Sequence, residues 1–250
     1  MTTEQAGSAM RSLDRAIDVL VVLEDAPGGL RLSEIARRAG LHVATTQRIL
    51  TALEARGRVE RDDNRYRAGV ALLFGAHAYL TGSPLVLTAR PILQDLAAET
   101  GLASSVFVRT GLHRAVIARV EGSDPLRYEL PVGERLPLHL GAGKMLAAHL
   151  DAESLERLTA DVAPFTTANG QRVSAEEWDA ELEEIRARGY AVSEGERVLG
   201  HRSVTAPVRR GDEVVAALQV AGTTETFPES RVEALSAAVR NAAAALGRRI

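Results

Sequence analysis

From Ser12 onward, Leu13, Ala16, Ile17, Leu20, Val21 and Leu23 recur at the three- and four-residue spacing of one helix face, and the run stops before Ala26-Pro27-Gly28-Gly29. A second, shorter helix follows, with Ser33 as its cap and Ile35, Ala36 and Ala39 on one face. Gly40 supplies the left-handed residue that closes it. A third helix begins two residues later and runs from about Val43 to Arg56, with Ile49, Leu50 and Leu53 inward and Gly57 as terminator. That phase leaves Thr45, Thr46, Gln47 and Arg48 largely outward. Val59-Glu60-Arg61 and Arg65-Tyr66-Arg67 then flank the polar Asp62-Asp63-Asn64, which predicts a short hairpin.

Helix, tight glycine turn, helix and hairpin, in that order, make a winged helix-turn-helix. In such a unit the second helix of the pair enters the major groove while nearby basic residues meet phosphates. Each piece alone is more often just a packed module with solvated charges, and it is the order that favours DNA. Arg37 and Arg38 then face the phosphate backbone. Thr45, Thr46, Gln47 and Arg48 carry donors that reach base edges.

Val70 to Leu80 reads as an apolar helix, with Val70, Leu72, Leu73, Ala76 and Tyr79, interrupted by Thr81-Gly82-Ser83-Pro84. It is too apolar for a free linker, and two readings stand: a helix packed on a partner subunit, or one buried within its own chain. Pro91 in the next stretch, Leu85 to Thr100, marks a kink or a first helical turn. Beyond Gly101 the texture turns to strand-like runs at Ser104–Arg109, Ala115–Glu121, Tyr128–Val132, Tyr190–Ser193, Ser203–Val208 and Val214–Ala221. Helical runs at Gly143–Leu150, Ser154–Ala160, Ala175–Arg188 and Glu229–Gly247 interleave with them. This pattern predicts an α/β sensor domain with a mainly antiparallel sheet.

The 250 residues are 46% hydrophobic and 25% charged, which excludes disorder and collagen-like repeats and suits two domains. A net charge of -3 means that any basic surface is local. Such a patch exists: nine Arg against five acids lie between Arg31 and Arg67, and residues 1–70 carry +1 against -4 for the rest. With no cysteine, disulfides, thiolate nucleophiles and Cys-type zinc sites are impossible. No stretch reaches the ~18 apolar residues of a membrane helix, so no membrane contact and a cytoplasmic location are expected. The basic residues are 29 Arg and a single Lys, Lys144.

Gly141-Ala142-Gly143-Lys144 invites a phosphate-loop reading, but that pattern needs Gly where Leu138 stands and Ser or Thr where Met145 stands. What survives is a glycine-rich start to a helix whose free N–H groups suit a carboxylate, or glycines that merely permit a tight turn. Ala191-Val192-Ser193-Glu194-Gly195 resembles a nucleophile elbow, yet no amphipathic helix follows it, and a hydrolase using Ser193 is the weaker reading. The histidines at 42, 77, 113, 139, 149 and 201 show no metal-ligand spacing, and the paired acids Glu176-Glu177 and Glu183-Glu184 read as a solvated helix face. No catalytic residue, metal or cofactor is expected.

SLDRAIDVLVVL, LSEIARRAGL, the Thr45 to Arg48 segment and LEARGRVERDDNRYRAG together resemble the N-terminal domain of IclR-type bacterial transcription regulators, and the resemblance continues to the C-terminus. It implies an α+β fold: a winged helix-turn-helix DNA-binding domain (1–69), a linker helix (70–83) and a GAF-like effector-binding and oligomerisation domain (84–250). His42 and Ala44 stand where that family usually has Pro and Ser. The implied partners are double-stranded operator DNA, contacted by Arg37, Arg38, His42, Thr45, Thr46, Gln47, Arg48, Arg61 and Arg65, and a small organic effector such as a carboxylate. The effector pocket implied by the resemblance comprises Tyr128, Gly141, Ala142, Ser193, Ser203, Gln219 and Ala221. Family members that bind small acids often carry an acid near Ser193, Cys at Ser203 and Ser at both Gln219 and Ala221, so a different and larger ligand is expected here. His139 also has one residue fewer before the Gly-Lys pair than most members. A homodimer or tetramer (dimer of dimers) acting as a repressor completes the expectation. The rival is a winged helix that binds protein rather than DNA.

Overall fold

The computed structural model describes residues 3–123 and 130–250, and its first element outruns the pattern that predicts it. Helix α1 (Thr3–Glu24) begins well before Ser12 and stops ahead of the Pro27-Gly28-Gly29 turn. A two-residue strand β1 (Leu30–Arg31) leads into α2 (Leu32–Arg38), α3 (Val43–Glu54), β2 (Val59–Asp62) and β3 (Arg65–Ala68). Val19, Leu23, Ile35, Leu50, Val59 and Tyr66 converge as the core of this unit.

Ser33 does not cap α2. The Arg31 backbone N–H donates to the Glu34 carboxylate at 2.8 Å, so the helix starts one turn position earlier and Ser33 falls inside it, exposed. The same N–H holds the Glu34 carboxyl below its usual range. Gly40 closes the helix at φ +63. In the hairpin, Asp62 pairs with Arg65, and Asp63 takes φ +50 in the two-residue turn. β1 joins β3 through Leu30 opposite Tyr66, giving a three-stranded sheet of order β1-β3-β2.

Helix α4 (Leu72–Gly82) starts after Val70 and continues through Thr81 and Gly82. None of its residues is buried, and Leu73, Phe74 and Tyr79 are exposed, which rules out a helix buried within its own chain. The chain divides into two units between Tyr79 and Leu80. No single described helix is long and apolar enough to cross a membrane.

The second unit opens with α5 (Pro84–Thr100), whose first turn is capped by the Ser83 hydroxyl accepting from the Val86 N–H and whose end is closed by left-handed Gly101. Pro91 lies in the body of α5 rather than in its first turn. Then follow β4 (Ala103–Thr110), β5 (His113–Val120), β6 (Arg135–Pro137), α6 (Ala142–Ala147), α7 (Ala152–Val162), β7 (Phe165–Thr166), β8 (Arg172–Val173), α8 (Ala175–Arg188), β9 (Ala191–Glu194), β10 (His201–Arg210), β11 (Glu213–Thr223) and α9 (Val232–Gly247). Six strands form an antiparallel sheet of order β6-β5-β4-β11-β10-β9, and β7 pairs with β8 apart from it.

Period-two alternation splits this sheet into two faces. Val204, Ala206, Val208, Leu218 and Val220 pack against Val86, Leu93 and Leu96 of α5 and Val239 and Leu246 of α9. On the opposite face Phe107, Val116 and Ala217 meet Met145 and Leu146 of α6 and Trp178, Leu182 and Ile185 of α8. Of the strand expected at Tyr128–Val132, Tyr128 lies outside the described residues and Leu130 to Val132 carry no strand. The chain instead turns at Gly133, φ +92, whose N–H donates to the Val116 carbonyl, and pairs with β5 only from Arg135. The architecture is thus α+β, a winged helix-turn-helix followed by a unit built on an antiparallel sheet.

Gly69 shows how tightly the wing is joined to α3. A Cβ there would sit 2.3 Å from the Gly57 carbonyl oxygen and 2.8 Å from the Val59 nitrogen, so backbone has to move. Gly69→Ala is expected to lower the unfolding free energy of the N-terminal unit by about 1–3 kcal/mol, read from the urea midpoint. A wild-type midpoint would show that the close approach is not required.

Candidate functional site

Around α3 the structure redistributes the predicted DNA-contacting side chains. Thr46 is fully buried and its hydroxyl donates to the His42 carbonyl at 3.1 Å, so it does not face outward. The reason is helical phase: positions 46, 50 and 53 share a face, and Leu50 fixes that face in the core. Thr45 is half-buried, and the Gln47 amide lies 3.4 Å from the Tyr66 hydroxyl on β3. His42, Arg48, Arg37 and Arg38 are exposed. In the hairpin, Arg61 Nε donates to the Asp63 carbonyl with its guanidinium 5.5 Å from the Tyr66 ring centroid. Arg65 donates to the Gly29 carbonyl at 2.8 Å. The hairpin arginines are therefore oriented by their own backbone, each guanidinium keeping further donors for another acceptor.

The second unit brings four of the predicted effector residues onto one sheet face. Antiparallel register places Ser193 opposite Ser203 and Ser203 opposite Ala221, a row across β9, β10 and β11. Gln219 stands one alternation away, between Thr205 and Ser105, and Arg119 lies opposite Ser105. Ser193, Ser203, Gln219, Ala221 and Arg119, with Gly141, Phe107 and Leu130, line a cavity of about 80 Å³. Ser193, Ser203 and Gln219 are each only 8% exposed, and none of the three side chains has a hydrogen-bond partner among the described residues. Tyr128 lies outside the described residues.

Two expectations at the glycine-rich start of α6 are corrected. Ala142 is fully buried in the core beneath the cavity and does not line it. The Gly141 N–H does meet a carboxylate, but it is the protein's own: it donates to Glu196 Oε2 at 2.9 Å. Glu196 sits in the turn between β9 and β10, and its other oxygen bonds the Lys144 ammonium, which also meets Glu181 Oε1 of α8 at 2.5 Å. Lys144 is 2% exposed. Gly143 is needed because a Cβ there would meet the Leu138 carbonyl oxygen at 2.2 Å and an Arg114 nitrogen at 2.5 Å. Arg114, itself buried, donates to the Pro137 and Leu140 carbonyls and lies 5.3 Å from the Phe107 ring centroid. The Gly-Ala-Gly-Lys segment thus serves internal packing and ion pairing.

Ser193 lies within a paired strand rather than on a strand-to-helix turn, which removes the geometry of a nucleophile elbow. His139, whose ring lies tilted against Phe165 with centroids 4.7 Å apart, has its pKa lowered by burial and then by the Arg114 charge. Among the described residues no group of three or more acids and histidines is placed to hold a metal ion. Arg114, Arg119, Glu181 and Glu196 were not anticipated. Their signal was faint, since only the solitary lysine stood out and its partners lie 37 and 52 residues away.

A family model for the IclR helix-turn-helix domain matches residues 12–63, and one described as bacterial transcriptional regulator IclR C-terminal matches residues 77–248. The HTH-type transcriptional regulator BhcR of Paracoccus denitrificans is 32% identical over 94% of this chain and 85% of its own length. The transcriptional repressor IclR of Escherichia coli is 28% identical, over 97% and 91%. The crystal structure of an IclR transcriptional regulator from Alicyclobacillus acidocaldarius matches with a TM-score of 0.79 and 27% identity, over 96% of this chain and 98% of that one.

The ion-pair node generates a stability prediction. Lys144→Met leaves Glu181 and Glu196 facing each other with no cation between them, and is expected to destabilise the second unit by about 3–5 kcal/mol in denaturant titration. A loss below ~1 kcal/mol would mean that solvent already compensates the pair.

Proposed function

The chain belongs to the IclR family of bacterial transcriptional regulators, DNA-binding proteins rather than enzymes, and from that premise we propose a homo-oligomeric repressor whose operator affinity is set by a small carboxylate bound in its second unit. In this reading residues 1–69 bind operator, 70–83 couple, and 84–250 sense and oligomerise. The observation that carries the sensor part is the set of three residues, Ser193, Ser203 and Gln219, held more than nine-tenths buried around one cavity with no side-chain hydrogen-bond partner among the described residues. Their polar atoms reach the open cavity and are not sealed from solvent, so a ligand that bonds them gains the net worth of a hydrogen bond, about 0.5–1.5 kcal/mol each.

Among the described residues of the cavity lining, four arginines, Arg114, Arg119, Arg197 and Arg202, against the one acid Glu196 favour an anion, although Arg119 is paired with Glu121 and Arg202 with Glu194. The cavity is open to solvent on one side, so its volume of about 80 Å³ sets no upper limit on the ligand, and the longer Gln219 side chain supports a ligand larger than the smallest acids. Gly141 contributes cavity wall, with its N–H already engaged by Glu196.

On DNA, Arg48 serves base readout beside His42, Thr45 and Gln47, while Arg37, Arg38, Arg61 and Arg65 serve phosphates. The exposed apolar residues Leu73, Phe74 and Tyr79 of α4 suit a second copy of the chain, and a two-fold dimer matches paired half-sites. An effector that prefers one arrangement of the paired DNA-binding units changes operator affinity by that differential binding energy.

Two experiments test this. Arg48→Ala is expected to weaken specific binding more than non-specific binding, and Arg65→Ala to weaken both and flatten the salt dependence. Equal losses on operator and random DNA would contradict that division. In isothermal titration against a panel of aliphatic and aromatic carboxylates, Ser203→Ala and Gln219→Ala are each expected to weaken the best binder by roughly three- to tenfold. Unchanged affinity in both variants would remove the cavity from the account.

A further inference from the structure

We infer that Val43 reads the methyl group of a thymine in the operator, so that the first turn of α3 recognises DNA by apolar contact. This rests on the reading of α3 as the helix that enters the major groove. Of the four polar side chains on this stretch, the Thr46 hydroxyl is committed to the His42 carbonyl, the Gln47 amide is shared with Tyr66 and Thr45 is half-buried, so polar contacts cover only part of the surface the helix presents. What the first turn offers outward is Val43, 50% exposed, and Ala44, also exposed, with Arg48 one turn beyond Ala44 on the same face.

Three physical points favour a base rather than water against Val43. First, its branched side chain is already restricted at χ1 inside a helix, so little conformational freedom remains to be lost on contact. Second, Ala44 has no side-chain atoms beyond Cβ and leaves room for a base edge to approach. Third, the first turn of α3 holds no acid, although an acid there would favour the helix dipole. That omission keeps repulsion away from the phosphates while leaving the turn apolar. Of the groups displayed in the major groove, the C5-methyl of thymine is the apolar one, and it sits beside acceptors and donors that only polar side chains satisfy. Val43 therefore specifies T by its methyl, and Arg48 remains for a guanine in the same half-site.

The test uses the full-length protein and a duplex that the protein itself selects from a random-sequence library. Each thymine is replaced singly by deoxyuridine, which removes the methyl and nothing else. At one position in each half-site the wild-type protein is expected to lose about fourfold in affinity, the equivalent of one buried methyl group at ~0.8 kcal/mol. Val43→Ala is expected to bind the thymine duplex about fourfold more weakly and to lose the distinction between thymine and uracil at that position. An unchanged urea midpoint shows that the variant is folded. Insensitivity to uracil at every position, or a sensitivity that persists undiminished in Val43→Ala, overturns the inference while leaving DNA binding intact. Failure of the library to enrich any sequence overturns the DNA-binding reading and this inference with it.

Discussion

A single buried ammonium organises the sensing unit. Lys144 enters the interior on α6, and a charge there is tolerated only with carboxylates in contact, because the desolvation of an isolated buried ion costs several kcal/mol. Glu181 brings α8 to it and Glu196 brings the turn between β9 and β10. Because the second oxygen of Glu196 also takes the Gly141 N–H, the start of α6 is fixed to the same turn. Gly141 and Glu196 are walls of the cavity, so the node that settles a buried charge also sets the distance between those walls and the sheet bearing Ser193, Ser203 and Gln219.

The N-terminal unit uses a comparable device on a smaller scale. Tyr66, buried in the core from β3, reaches Gln47 on α3 and supports Arg61 over its ring, while Arg65 ties the hairpin to the Gly29 turn. Helix and wing are thereby held as one surface. The positive excess of residues 31–67 lies on this surface, within a chain whose overall charge is negative.

Much of the fold is legible in the sequence because it follows from periodicity and backbone chemistry. The α3 stripe, the Asp63-Asn64 reversal, left-handed Gly40 and the long run of α8 each depend on residues close in sequence. The departures have long-range or competing causes. Thr46 is polar yet shares the core face with Leu50, and Ser33 loses the cap to a glutamate three residues past Arg31. β1 is too short to leave a period, and β6 waits for the Gly133 turn. Spacing did not assemble the cavity residues. The resemblance proposed them, and β-sheet register explains how Ser193, Ser203 and Ala221 come to lie in one row. The carboxylate at Gly141 was foreseen as chemistry but not as Glu196, since nothing local ties residues 55 positions apart.

The account joins two binding events in one chain, and thermodynamic linkage makes that junction measurable. If ligand and operator favour different arrangements of the same protein, each must change the affinity of the other by the same factor. The decisive experiment measures operator affinity by fluorescence anisotropy with and without the tightest-binding carboxylate, and carboxylate affinity by calorimetry with and without operator. The account predicts two equal factors, each of about fivefold or more. A carboxylate affinity unchanged by saturating operator would contradict it.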